Sequence, residues 1–177
     1  CGSHKSSYNR RLAKRFIQMG YRVIRINLKG CGSGRGLTKG IYHSGCSEQI
    51  YELLCHCKQQ YPESHFIQVG FSLGANVTLK LIGEKGSSIK EILRGAIAIS
   101  PPCDLFASNR RFAREENSFI SKYFLKLLLD DVYHMHKIYP DLGDPGFPKG
   151  MNLYDFDEYY VAPRANFKGA LDYYASC

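Results

Sequence analysis

Val69-Gly70-Phe71-Ser72-Leu73-Gly74 is the stretch on which the fold turns. Before it, His65-Phe-Ile-Gln-Val-Gly-Phe71 reads as a β-strand. After it, Ser72 to about Ile82 reads as a helix, with Val77, Leu79, Leu81 and Ile82 apolar. The pattern G-x-S-x-G therefore stands at a strand-to-helix junction. A nucleophilic serine needs that placement, because a strained turn holds its hydroxyl out above the sheet. Small residues at Gly70 and Gly74 let helix and strand approach closely. The helix N-terminus turns backbone N–H groups and a positive dipole end toward a developing oxyanion. The candidate site is thus Ser72 as nucleophile, the Leu73 N–H as oxyanion donor, and Gly70, Phe71 and Gly74 as the elbow. The competing reading is a tight glycine turn without chemistry. Chance alone places G-x-S-x-G in about one such chain in 20, and the flanking strand and helix lower that several-fold.

Working outward, Tyr21-Arg-Val-Ile-Arg-Ile-Asn27 is short and β-branched and predicts a strand, and Gly95-Ala-Ile-Ala-Ile99 predicts another, cut off by Pro101-Pro102. A helix is expected from about Ser47 to Tyr61, with Ile50, Leu53, Leu54 and Cys57 on its inner face and Pro62 at its end. Tyr8, Leu12, Phe16 and Met19 form one helical face ahead of the terminating Gly20. Alternating strands and helices at this spacing imply a parallel sheet with crossover helices. Past residue 102 the pattern changes to a helix over Asn117–Tyr133, a Pro- and Gly-rich loop over Tyr139–Gly150, and a short helix near Phe167–Ala175. The loop Gly30-Cys-Gly-Ser-Gly-Arg-Gly36 fails both the dinucleotide and the P-loop patterns and reads as a turn.

The chain has 177 residues, 44% of them apolar and 23% charged, which suits a globular protein. No apolar run approaches the ~20 residues of a membrane span, and no apolar signal segment follows Cys1. A net charge of +8 permits an acidic partner. Arg10, Arg11, Lys14 and Arg15 on the first helix, and Arg110, Arg111 and Arg114 later, read first as solvated faces. No nucleic-acid-binding signature is present, so nucleic acid is not expected as a partner. Seven irregularly spaced cysteines argue against a disulfide framework and for reduced, cytoplasmic thiols. Cys55-His56-Cys57 lies in a helical pattern that points its members to different faces, and no C-x-x-C completes a zinc site. Neither metal nor cofactor is expected.

Several stretches together resemble the YheT-like branch of the α/β-hydrolase fold, which includes the alpha/beta hydrolase domain-containing esterases and lipases. Gly2-Ser3 with Ser7-Tyr8 is similar to the end of that family's H-G-L-x-G-S segment, and Asn27-Leu-Lys-Gly-Cys-Gly32 to its N-F-R-G-C-G loop. Tyr42-His-Ser-Gly45 resembles its Y-H-S-G motif, and Val69–Asn76 its nucleophile elbow. Ser100-Pro-Pro-Cys-Asp-Leu105, Asp155-Phe-Asp157, Ala162-Pro163 and Asp172-Tyr-Tyr174 resemble later segments.

The resemblance implies a serine hydrolase of carboxylic esters, either short-chain esters or acylglycerols, working through an acyl-enzyme. It implies a partial α/β-hydrolase core over 1–102, a helical cap over 103–160 and a return toward the core over 161–177. Phe119, Phe124 and Leu128 of that cap would line an acyl pocket or serve as plain helix packing; both readings stand. The family's H-G dipeptide, catalytic acid and catalytic histidine are expected outside Cys1–Cys177, so the chain reads as truncated at both ends, with the isolated polypeptide inactive and marginally stable or prone to associate. His43 would hold a loop. His134 and His136 would be surface residues of the last helical turn. The expected partner is a small-molecule or lipid ester, with weak contact to an anionic membrane surface. Two alternatives stay open: a catalytically silent hydrolase-like binding protein, and a basic surface module for anionic lipid.

Overall fold

The computed structural model describes residues 2–177. The elements in chain order are α1 (Ser7–Gln18), α2 (Ser47–Gln60), β1 (Phe66–Phe71), α3 (Leu73–Lys85), β2 (Leu93–Ile99), α4 (Leu105–Phe112), α5 (Ser118–Ile138), α6 (Leu153–Phe156), α7 (Ala162–Arg164) and α8 (Ala170–Ser176), with short 3-10 turns between them and a π-turn at Asp157–Val161. The chain divides into two compact units, one of 2–42 with Phe112–Tyr160, the other of His43–Arg111 with Val161–Cys177. These units interleave the segments 1–102, 103–160 and 161–177 read from the sequence.

The second unit holds the sheet. β1 and β2 pair in parallel, with Val69 opposite Ile97 and Phe71 opposite Ile99. Parallel strands need a crossover, and α3 supplies it. Val77 and Leu81 of α3 are fully buried. On the predicted inner face of α2, Ile50 and Cys57 are buried and Leu53 and Leu54 half-buried. Leu79 points away and is exposed. The architecture is α/β, a small parallel sheet flanked by helices, as expected.

Tyr21–Asn27, expected as a strand, belongs to no ladder among the described residues; the sheet has two strands, not three. β-Branched composition favours an extended backbone, but a strand exists only when a neighbour's N–H and C=O groups meet its own. The segment is held at its end instead: Asn27 Oδ1 accepts the His4 backbone N–H at 2.9 Å and its amide donates to Ser33 at 3.0 Å. The α1 face is likewise more open than its periodicity suggests, since only Ala13 of that helix is buried. Tyr21 folds back edge-on against Phe16.

In the first unit, α5 runs past its predicted end to Ile138. Val132, Met135 and His136 are its buried positions, and Phe147, Phe156 and Tyr160 stack nearby. Arg35 lies 2.6 Å from Asp130, and its Nε is 3.0 Å from Asp131 without hydrogen-bond geometry. Phe119 is 82% exposed. Phe124 meets Phe112 edge-on. A shallow depression of about 390 Å³ runs along α5, lined by Lys122, Leu125, Lys126, Leu129, Asp130 and Tyr133, so none of Phe119, Phe124 and Leu128 lines it. Among the described residues no helix is long and apolar enough to cross a membrane, and no cluster of side chains could hold a metal ion.

Helices α2 and α3 are joined by charge as well as by packing. Ser47 Oγ donates to Glu84, which also pairs with Lys80 at 2.8 Å, while Lys85 reaches Glu48 at 2.6 Å. Burial opposes ionisation of Glu84, but the hydrogen bonds from Lys80 and Ser47 and the charges of Lys80 and Lys85 outweigh it and hold its carboxyl below the usual range. A carboxyl whose folded value lies below its unfolded one stabilises the fold above the unfolded value and loses that contribution as pH falls through the folded one. Acid melts should therefore show the midpoint temperature falling more from pH 6 to pH 3 in the wild type than in Glu84→Gln, with the difference shrinking in salt. Parallel curves would show that this network does not couple to folding.

Candidate active site

The site is built on the crossing of β1 and α3. A Cβ at Gly70 would run into the Gly74 carbonyl oxygen and would come within 2.7 Å of Ala75 Cα. Both obstacles are backbone, so only glycine lets this helix start so close to this strand. Beside it, Thr78 Oγ1 donates to the Gly74 carbonyl at 2.8 Å and accepts from Gln68 at 2.7 Å, a polar bridge from helix to strand. Gly74 differs from its sequence reading: nothing lies within 4 Å of a Cβ placed there. The close approach is made at Gly70 alone.

Ser72 takes φ 50 and ψ −124. A non-glycine residue held in that region costs on the order of 1–3 kcal/mol and persists only where its surroundings hold it. Here they do. The Ser72 N–H donates to Ile99 at the end of β2 at 2.9 Å, and the Ser72 carbonyl accepts from Ala75 and Asn76 at 2.8 and 3.1 Å. The turn is therefore tied to the neighbouring strand and to its own helix. Ser72 is exposed. Leu73 and Gly74 are the first two residues of α3, where backbone N–H groups have no intrahelical acceptor. An exposed hydroxyl beside such N–H groups can attack an acyl carbon and leave the resulting oxyanion within reach of a donor.

Asn76, one turn into α3, is buried, and sequence reasoning gave it no role. Its amide donates to the Pro102 carbonyl at 3.1 Å and to the Cys177 carbonyl at 3.4 Å, so one side chain ties the segment after β2 and the end of α8 to the elbow helix. Its place in the Val69–Asn76 stretch was the available signal: a polar residue at a position facing the interior. Ser100, at the end of β2, also has positive φ, at 51°.

The Tyr42–Gly45 motif supplies a second constellation in the same unit from His43 onward. His43 Nδ1 accepts the Gly45 N–H at 3.1 Å, so that nitrogen carries no proton. The ring meets Phe167 and Tyr173 edge-on. The Ser44 N–H donates to the Tyr173 hydroxyl at 3.0 Å, inside the protein. His43 thus holds a loop. No hydrogen bond from the Ser72 hydroxyl to a histidine is present among the described residues.

His136 corrects an expectation. It is buried, not on the surface, with Nδ1 2.7 Å from the Gly143 carbonyl and Nε2 2.9 Å from the Tyr160 hydroxyl. Nδ1 therefore donates and both ring nitrogens are engaged; the partners lie 7 and 24 residues away, beyond what helical periodicity shows. His134 is exposed as expected. Of the cysteines, Cys57 has its thiol pushed up by burial, and Cys177 is pushed up to about 11, chiefly by burial and against the charge of Lys80.

A family model, Hydrolase_4, described as serine aminopeptidase S33, matches residues 1–144. Among curated proteins the chain is similar to phospholipase ABHD3 of Mus musculus, 25% identical over 98% of this chain and 42% of that protein. It is similar to medium-chain fatty acid ethyl ester synthase/esterase 2 of Saccharomyces cerevisiae, 26% identical over 98% of this chain and 43% of that protein. It is also similar to putative esterase YheT of Escherichia coli, 24% identical over 99% of this chain and 52% of that protein. The chain thus spans about half or less of the length of these relatives. No solved structure matches.

The two glycines of the elbow should separate in a stability measurement. Gly70→Ala is expected to cost about 1–3 kcal/mol through overpacking against backbone. Gly74→Ala, inside a helix with open space around it, should be neutral or stabilise by up to about 1 kcal/mol. Equal losses in urea melts would contradict the crossing geometry.

Proposed function

The chain belongs to the serine aminopeptidase S33 family of hydrolases, and from that premise we propose that it carries the nucleophile portion of a serine hydrolase acting on carboxylic esters, short-chain esters or acylglycerols. The observation that carries this is the Ser72 turn: positive φ, an exposed hydroxyl, and the first N–H groups of α3 beside it. In this reading Ser72 Oγ attacks the ester carbonyl, and the Leu73 N–H hydrogen-bonds the oxyanion of the tetrahedral intermediate. The alcohol then leaves and water hydrolyses the acyl-enzyme. Gly70, Phe71 and Gly74 form the elbow. The family description names a peptidase, whereas the relatives are named for phospholipid and fatty acyl ester chemistry. Both are acyl transfers that one elbow can serve, and the relatives favour the ester. A cytoplasmic location is part of the proposal, supported by the irregular spacing of the cysteines, and so is weak contact with an anionic membrane surface, supported by the net charge of +8. Nucleic acid is not proposed as a partner.

A second reading, binding without turnover, is favoured by one observation. A serine without a general base is a weak nucleophile at neutral pH, and among the described residues Ser72 has no histidine in hydrogen-bond contact. One experiment addresses both. Wild type and Ser72→Ala forms of the whole protein are compared for hydrolysis of p-nitrophenyl butyrate and of an aminoacyl p-nitroanilide, and for covalent labelling by a fluorophosphonate. The ester reading expects hydrolysis of the ester above the anilide, labelling at Ser72, and a loss of about a thousandfold or more in the variant. Hydrolysis that Ser72→Ala leaves unchanged would overturn it. Absence of both turnover and labelling supports the silent reading.

A further inference from the structure

Charge is distributed along this chain very unevenly. Residues 1–47 contain ten Lys and Arg and no Asp or Glu, whereas the remaining 130 residues carry 14 Lys and Arg against all 16 acids. The structure shows what these cations meet. Arg35 and Lys39 are taken up by Asp130, Asp131 and Asp141. Arg10, Arg11, Lys14 and Arg15 are exposed on α1 and, among the described residues, enter no ion pair. At 100° per residue they occupy one sector of that helix of about 140°. Arg22 and Arg25 are exposed on the segment that follows. At the C-terminal end of α1 stand two apolar side chains that the fold leaves in solvent, Ile17 at 61% and Met19 at 63% exposure.

We propose that this α1 face docks on a bilayer containing anionic lipid, with Arg10, Arg11, Lys14 and Arg15 at the headgroups and Ile17 and Met19, one at each edge of the basic sector, in the interfacial region at the C-terminal end of the helix. Charge complementarity selects an anionic surface, since no acid within the first 47 residues offsets these cations. The aliphatic pair selects a membrane over nucleic acid. A phosphate backbone offers aliphatic side chains nothing to bury against, and single strands are gripped by aromatic stacking, whereas an interfacial helix combines cations with apolar insertion. This locates the membrane contact put forward above and does not depend on Ser72 chemistry.

The test is co-sedimentation of the protein with phosphatidylcholine vesicles and with vesicles of phosphatidylcholine and phosphatidylserine at 7:3, at low and high salt. Binding is expected only to the anionic vesicles and is expected to fall as salt rises. The triple variant Arg11→Gln, Lys14→Gln, Arg15→Gln should bind about a hundredfold more weakly, about fivefold per cation. The same charge change at Lys90, Arg94 and Arg110 should leave binding within about threefold, and thermal melts confirm that each variant folds. Ile17→Ser with Met19→Ser should also weaken binding. Ser72→Ala should bind as wild type, which separates this proposal from the hydrolase reading. Equal binding to neutral vesicles, an equal loss in the control triple variant, no effect of the Ile17 and Met19 changes, or binding to duplex DNA with none to anionic vesicles would each overturn it.

Discussion

The contact between Gly70 and the first turn of α3 sets the geometry of everything around the candidate nucleophile. Because a Cβ there would meet the Gly74 carbonyl and Ala75 Cα, the absence of one lets β1 turn directly into α3. The turn needs one residue in a sparsely populated conformation, and that residue is Ser72 at φ 50. Strain of this kind relaxes unless the neighbours over-determine it. The bond from the Ser72 N–H to Ile99 is the decisive restraint, since it fixes the turn to a strand that does not share its local chain.

A second layer of restraint holds α3 from the other side. Thr78 and Gln68 bridge helix to strand, Asn76 bridges helix to the segment after β2 and to the end of α8, and Lys80 Nζ reaches the Ser176 carbonyl at 2.6 Å. Four of these hydrogen bonds are part-buried, where a polar group left without its partner is costlier than one in solvent. Together with the buried Val77 and Leu81, they make α3 the element to which α2, the sheet and α8 all answer. The loop around His43 is fastened in the same unit through Tyr173, so the motif residues Ser44 and Gly45 and the aromatic pair Tyr173-Tyr174 form one packed group.

What could be read beforehand was what is local in the chain. The strand before Ser72, the helix after it and the small residue at Gly70 all lie within a few positions of one another, and each leaves a mark in composition or period. Partners from distant sequence leave none. Tyr21–Asn27 has the composition of a strand, yet a ladder depends on which backbone lies beside it. His136 looks like a terminal helical residue until Gly143 and Tyr160 fold onto it. Gly74 completes a pattern, yet the space around it is open. Asn76 reads as an interior asparagine of no special kind, and only the two carbonyls it meets reveal its work.

The first unit makes the complementary point. Helix α1 buries a single side chain, Ala13, so its outward sequence is set by little in the packing. Neutral polar residues at Arg10, Arg11, Lys14 and Arg15 would satisfy the same fold, because helix propensity separates Arg, Lys and Gln by only a few tenths of a kcal/mol. Where packing constrains a position, composition reports the core, as at Val77 and Leu81. Where it does not, a one-sided excess of cations is information about something outside the chain. The elbow and the basic helix therefore speak to different questions, the one about the backbone at Ser72, the other about what lies outside the chain.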